Sequence, residues 1–162
     1  MNYNTANNED LLKYQTDRLK DLIAELLKCC DERKIYEIER FNLPQAELKS
    51  LLFFGNERYL TVTGIAQKMD VAKSRITKII GSLAQKGLVK QMSDPQDTRI
   101  KLISLTQAGR EIAQKIEAFQ SDIFRQILLN LGVDERKTTL ASLEMLRSAM
   151  EAVKERMTAH EQ

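Results

Sequence analysis

The sequence predicts a mostly α-helical chain with one small β-hairpin. Three observations carry that expectation. Apolar residues recur at three- and four-residue spacing through most of the 162 residues. One polar stretch, Ser93 to Thr98, contains no aliphatic residue and is followed by alternation at Ile100 and Leu102 into Leu105. Gly55, Gly87 and Gly132 punctuate the helical pattern where helices end.

The elements follow in order. A first helix is expected from Asp10 to about Arg40, with Leu12, Leu19, Leu22, Ile23, Leu26, Leu27 and Cys30 on one face. Its other face carries charges, among them Asp17, Arg18, Glu25 and Lys28. Asn42 is expected to N-cap a second helix, "PQAELKSLLFF", with Pro44 in its first turn and Gln45 at the reciprocal capping position. "TVTGIAQKMD" reads as a short helix with Thr63 near its start. "AKSRITKIIGSLAQKG" reads as a longer one, striped by Ile76, Ile79, Ile80 and Leu83 and stopped by Gly87. "LVKQMS" and "RIKLISL" are strands joined by the polar tip. Thr106 then caps a helix, its hydroxyl aimed at backbone donors near Gly109. Ile112, Ile116, Phe119, Ile123, Ile127 and Leu131 carry the period of that helix to Gly132. Asp134 is expected to cap the last helix, in which Leu140, Leu143, Leu146, Met150, Val153 and Met157 repeat. The predicted order is four helices, two strands, two helices.

Composition narrows the function classes. The length suits one domain, or one domain with an oligomerisation element. No run of about 18 apolar residues exists, so no membrane span is expected. The start, "MNYNTANNEDLLKYQ", lacks the pattern of a secretory signal, and a cytoplasmic location is the expectation. Cys29 and Cys30 make no disulfide framework, and His160 is the only histidine. With no metal-ligand cluster, no Gly-rich phosphate loop and no nucleophile–base pair, neither an enzyme nor a bound cofactor or metal is expected.

Charge is unevenly spread. Residues 61–106 hold eight cations (Lys68, Lys73, Arg75, Lys78, Lys86, Lys90, Arg99, Lys101) against Asp70, Asp94 and Asp97. That local excess of five sits in a chain of net charge +2, so the remainder is acidic by three. A basic middle between acidic ends suits a polyanion.

A short helix, a tight turn and a longer helix over about 25 residues is the helix-turn-helix plan. Ile65, Ala66, Met69 and Val71 are placed to pack on Ile76, Ile79, Ile80 and Leu83. That leaves Lys73, Ser74, Arg75, Thr77, Lys78 and Ser82 off the apolar stripe, as donors for phosphates and base edges. Arg75 is the candidate for bidentate guanine readout, while Lys73 and Lys78 suit phosphates. The hairpin adds a wing, with Gln96, Thr98, Arg99 and Lys101 at or beside its tip and Arg99 reaching a phosphate or the narrow minor groove.

On these residues the segment 61–109 resembles the winged-helix domain of the MarR family of bacterial transcription regulators. The likeness rests on "TVTGIAQKMDVAKSRITKIIGSLAQKGLV" followed by "DPQDTRIKLISLTQAG". The family's wing usually reads Asp-Pro-x-Asp-Arg-Arg, then Leu-Thr-x-x-Gly. Asp94, Pro95, Asp97, Arg99, Leu105, Thr106 and Gly109 match. Thr98 stands in place of the first wing arginine, and Ala72 in place of a frequent serine cap. Both departures are expected to weaken DNA binding or shift its contacts.

The resemblance implies a winged helix-turn-helix domain over residues 44–106. It is flanked by an N-terminal helix (1–43) and C-terminal helices (107–162) that build a homodimer on double-stranded DNA. It also implies Asp97 as a brace for Arg99, and release by a small aromatic or phenolic effector. Tyr36, Phe41, Phe53 and Phe54 are candidate lining for that effector. Cys29 and Cys30 raise redox sensing as an alternative, although Cys30 continues the apolar stripe and is expected to be a small buried hydrophobe. A winged helix serving protein–protein contact without DNA is the other alternative.

Overall fold

The computed structural model describes residues 3–159, with side chains from residue 8 onward. His160 lies outside the described residues. The order is α1 (Tyr3–Phe41), α2 (Gln45–Leu52), β1 (Leu60–Thr61), α3 (Val62–Met69), α4 (Lys73–Gln85), β2 (Val89–Ser93), β3 (Lys101–Leu105), α5 (Gln107–Leu129) and α6 (Val133–Ala159). The chain divides into two compact units, one running to Ile116 and one from Glu117. The fold is mostly helical with a small sheet, as the periodicity predicts.

The sheet has an extra strand. β1 adds to the hairpin in the antiparallel order β1-β3-β2, pairing Leu60 with Ile103 and Thr61 with Leu102. Two residues are too few to show alternation, so β1 left no periodic signal. Thr61 ends this strand and also caps α3, its hydroxyl accepting from Gly64 N at 3.0 Å.

Two caps differ from expectation. Asn42 does not cap α2; it takes a left-handed conformation (φ 50°) just after α1, where Asn is tolerated as a helix terminator. Pro44 occupies the N-cap position of α2 and offers no side-chain cap. Its carbonyl accepts from Glu47 N and Leu48 N at 2.9 and 3.1 Å. Asp134 lies inside the first turn of α6 rather than capping it. The Glu135 carboxylate instead accepts from Gly132 N at 2.6 Å, the backward half of a capping box.

The core of the first unit is one cluster. Leu48, Leu51 and Phe54 from α2 and its following turn meet Ile65 of α3, Ile76, Ile80 and Leu83 of α4, Ile103 of β3 and Ile116 of α5. Each such side chain, removed from water, contributes about 1.5–3 kcal/mol before entropy is counted. Met69 and Val71 pack against this cluster half-buried. The outer helices differ. Leu12, Leu19, Leu22, Leu26 and Leu27 of α1 are exposed, and α6 buries no residue. Cys29 and Cys30 are both exposed, so Cys30 is not the buried hydrophobe its spacing suggested. In the stretch of α1 that carries them, Leu22, Leu26 and Leu27 are exposed, while Ile23 is half-buried.

The junction after the wing is tight. Thr106 Oγ1 donates to Gly87 O at 2.7 Å and accepts from Gly109 N at 3.0 Å, so one hydroxyl caps α5 and holds the α4–β2 turn. Thr106 N also donates to Leu88 O at 3.0 Å. A β-carbon on Gly109 would lie 1.9 Å from Leu88 O, which leaves only glycine room there.

Candidate nucleic-acid interface

The turn between α3 and α4 is set by backbone geometry. Asp70 adopts a left-handed conformation (φ 54°) and its N–H returns to the end of α3. Val71 N then donates to Ala66 O at 3.1 Å. α4 starts at once, and Ala72 at its N-cap supplies no side-chain hydrogen bond. Ile76, Ile79, Ile80 and Leu83 point into the core. Lys73, Ser74, Arg75, Thr77 and Lys78 are therefore left exposed on the outer face. Among the described residues, no carboxylate pairs with Lys73, Arg75 or Lys78. Thr77 turns its hydroxyl hydrogen back to Lys73 O at 3.0 Å.

Ser82 departs from its expected role. It is half-buried, and its hydroxyl donates to Glu47 Oε1 at 2.7 Å. Lys86 Nζ meets Glu47 Oε2 at 2.6 Å. Ser82 and Lys86 thus tie the C-terminal half of α4 to α2 instead of facing outward. Glu47 went unnoticed in the sequence, where its signal is spacing. Leu43, Glu47 and Leu51 fall four apart, which puts a carboxylate on the buried face of α2.

The wing tip is ordered by carboxylates. Asp94 Oδ1 accepts from Gln96 N at 2.7 Å, and Asp94 N donates to Ile100 O at 2.9 Å. Asp97 grips Arg99 bidentately, with Nε to Oδ1 at 2.9 Å and Nη2 to Oδ2 at 3.0 Å. Arg99 N adds a third bond to Oδ1 at 3.0 Å. The Arg99 guanidinium, and then its backbone N–H, hold the Asp97 carboxyl below the usual carboxylate value, and Asp97 raises that of Arg99 in turn. The pair fixes direction rather than stability, because an exposed ion pair contributes little. Arg99 remains 88% exposed. Gln96 and Thr98 are exposed beside it, and Lys101 Nζ donates to Ser93 Oγ at 2.7 Å across the hairpin.

Helix and wing share one concavity. A cleft of about 540 Å³ is lined by Lys73 and Thr77 of α4, Arg99 and Lys101 of the wing, and Thr61 and Thr63 between them. Thr61 and Thr63 were not singled out as site residues. They enter the cleft because β1 pairs with β3 and carries the start of α3 to the wing.

The aromatic candidates differ in burial. Phe54 is fully buried in the core, Phe41 and Phe53 pack half-buried against it, and Tyr36 is exposed on α1. A sealed Phe54 offers no face to an effector. Among the described residues, no group of three His, Cys, Asp or Glu side chains is placed to hold a metal. No described helix is long and apolar enough to cross a membrane.

The helix-turn-helix, the three-stranded wing sheet and the capped start of α5 now define the segment, and residues 43–101 match the model of the MarR family. This segment is similar to a MarR-family domain. The chain is similar to the HTH-type transcriptional regulator YfiV of Bacillus subtilis, with 24% identity over 95% of this chain and 99% of that protein. It is 26% identical to the regulator YdgJ of the same organism over 63% of this chain, and spans 61% of YdgJ's length. In fold it is similar to Streptococcus pneumoniae FabT, solved in complex with DNA, with a TM-score of 0.72 and 18% identity over 83% of this chain and 99% of that one. The MarR family and these named relatives are transcriptional regulators, not enzymes.

Proposed function

We propose that the protein is a dimeric regulator that binds pseudo-palindromic duplex DNA. In this reading the N-terminal half of α4 enters the major groove and the wing tip enters the flanking minor groove. The observation that carries it is the joining of α4 and wing cations around one cleft, with Lys73, Arg75 and Lys78 free of carboxylate partners. Arg75 reads a base edge. Lys73, Lys78 and Lys101 meet phosphates, with Ser74, Thr77, Gln96 and Thr98 in support. Arg99, aimed by Asp97, reaches the minor groove, where negative potential concentrates. Ser82 is left out of this set because Glu47 occupies its hydroxyl.

Dimerisation is supported by apolar surface. Leu19, Leu22 and Leu26 on α1, and Leu140, Leu143 and Met150 on α6, are exposed in the single chain. A two-fold pair would cover such surface and space two α4 helices about one turn of DNA apart. A small aromatic or phenolic effector that favours another spacing would weaken DNA binding, and DNA would weaken the effector reciprocally. FabT's complex with DNA supports the reading by likeness of fold.

The test is titration onto duplex fragments from the region beside the protein's own gene, at several salt concentrations. A site bound more tightly than random duplex, with a steep log–log salt slope, is expected. Equal affinity for random duplex at moderate salt refutes the reading. Arg99→Ala should lower the slope by about one unit if it meets a phosphate, while Arg75→Ala should relax preference at one base position.

A further inference from the structure

A second cavity, of about 410 Å³, lies at the base of the wing and shares no lining residue with the cleft beside α4. Lys90 of β2, Ser104 of β3 and Arg110 of α5 line it, together with Glu57, Arg58 and Tyr59 from the α2–β1 loop. Two independent observations distinguish it.

The first is Ser104. The residue is 5% exposed, and its Oγ is the one buried side-chain nitrogen or oxygen among the described residues that lacks a hydrogen-bond partner. Buried hydroxyls are almost always satisfied, and one that is not asks for a missing partner. Ser104 lies directly opposite Lys90 in the β2–β3 register.

The second is charge. Arg58, Lys90 and Arg110 all line the cavity, against the single carboxylate of Glu57. Among the described residues none of the three cations is in an ion pair. Arg110 uses Nη1 to donate to Leu105 O at 3.0 Å, which leaves the other donors of its fork uncommitted to that bond. Arg58 lies over the Tyr59 ring, 5.2 Å from its centroid. Three cations around an unpartnered hydroxyl suit an anion. Neutral ligands leave the cations uncompensated, and cations are repelled.

We propose that this cavity binds a small organic anion, a carboxylate or a phosphate monoester. Its oxygens accept from Ser104 and Arg110 and pair with Lys90, and its carbon skeleton lies toward Tyr59. Ser104 Oγ is buried in the free protein, so side chains lining the cavity must shift for an anion to reach it. The cavity shares no lining residue with the cleft beside α4, so an anion held here and duplex DNA held there are read at different amides.

The experiment uses the full chain, labelled with ¹⁵N, in constant salt. Phenyl phosphate is titrated in, and benzyl alcohol serves as an uncharged probe of similar shape. Saturable shifts at the amides of Lys90, Ser104, Leu105 and Arg110 are expected with phenyl phosphate and absent with benzyl alcohol. Ser104→Ala should fold normally, because its hydroxyl holds nothing internally. It should weaken phenyl phosphate by about tenfold, the usual worth of one hydrogen bond to a charged group. Lys90→Gln, an exposed change, should do likewise. Three results overturn the proposal. One is weak, non-saturating shifts spread over the α4 and wing cations, which means an adventitious ion only. Another is Ser104→Ala binding phenyl phosphate like the parent. The third is a response of these amides to duplex DNA alone, which makes the cavity a contact for backbone phosphate.

Discussion

Glu47 offers the most direct test of how α4 is held. Its side chain is only 6% exposed, yet it accepts from Ser82 at 2.7 Å and from Lys86 at 2.6 Å. Glu47→Ala removes two hydrogen bonds to a charged group, each worth about 1.5–3 kcal/mol. Part of that returns. Lys86, at 38% exposure, regains water readily, and half-buried Ser82 does so in part. The net loss is then about 2 kcal/mol, below the ~3–5 kcal/mol for breaking a fully buried pair. For a chain of this size that lowers Tm by about 4–8 °C. Glu47→Gln keeps an acceptor for Ser82 but loses the charge and the acceptor for Lys86, so it should cost about half as much. Thermal unfolding at one fixed protein concentration measures both, since assembly would otherwise shift Tm. A double-mutant cycle with Lys86→Met should give a coupling of about 1 kcal/mol. If Glu47→Gln costs nothing and the coupling is nil, packing rather than charge holds α2 to α4, and the reasoning fails.

Other expectations concern separate parts of the molecule. Gly109→Ala places a methyl 1.9 Å from the Leu88 carbonyl, and should cost more than about 3 kcal/mol or prevent folding, seen by circular dichroism; a variant with parental Tm contradicts the close approach. Asp97 is held below its ordinary value of 3.8, so its grip on Arg99 is complete above that value and is lost as pH falls through the lower folded one. Carboxyl ¹³C titration should show the Asp97 midpoint rising in Arg99→Ala, and an unmoved midpoint speaks against the brace. If α1 pairs through its Leu19, Ile23 and Leu26 face, Cys30 should react slowly with a thiol reagent and Cys29 quickly, because adjacent helical side chains point about 100° apart. Equal rates at high protein concentration argue for a different interface.

Much of the fold was legible because helical periodicity is a long signal. Ile76, Ile79, Ile80 and Leu83 appear as a stripe in the sequence and as core in the structure. Thr106 and Gly109 were readable as a cap because three-residue spacing carries the geometry. What stayed hidden is non-local. β1 exists only because Leu60 and Thr61 find β3 some forty residues on. Ser82 looked free because its partner, Glu47, lies 35 residues away. Asn42 and Asp134 were misread because short polar residues serve at either end of a helix, and neighbouring packing decides which. The wing and α4 residues could be named one by one, but the cleft joining Lys73 to Arg99 needed the third strand.

The hydroxyl of Thr106 has a mechanical consequence. It fastens the turn after α4 to the first turn of α5, and Gly109 lets that turn rest on the backbone of Leu88 with no side chain between. Little slack remains at such a joint. A rotation applied to the start of α5 should therefore be felt at the end of α4, as through a coupling between two shafts. Softening the joint with Thr106→Val would leave both helices in place while uncoupling their angles.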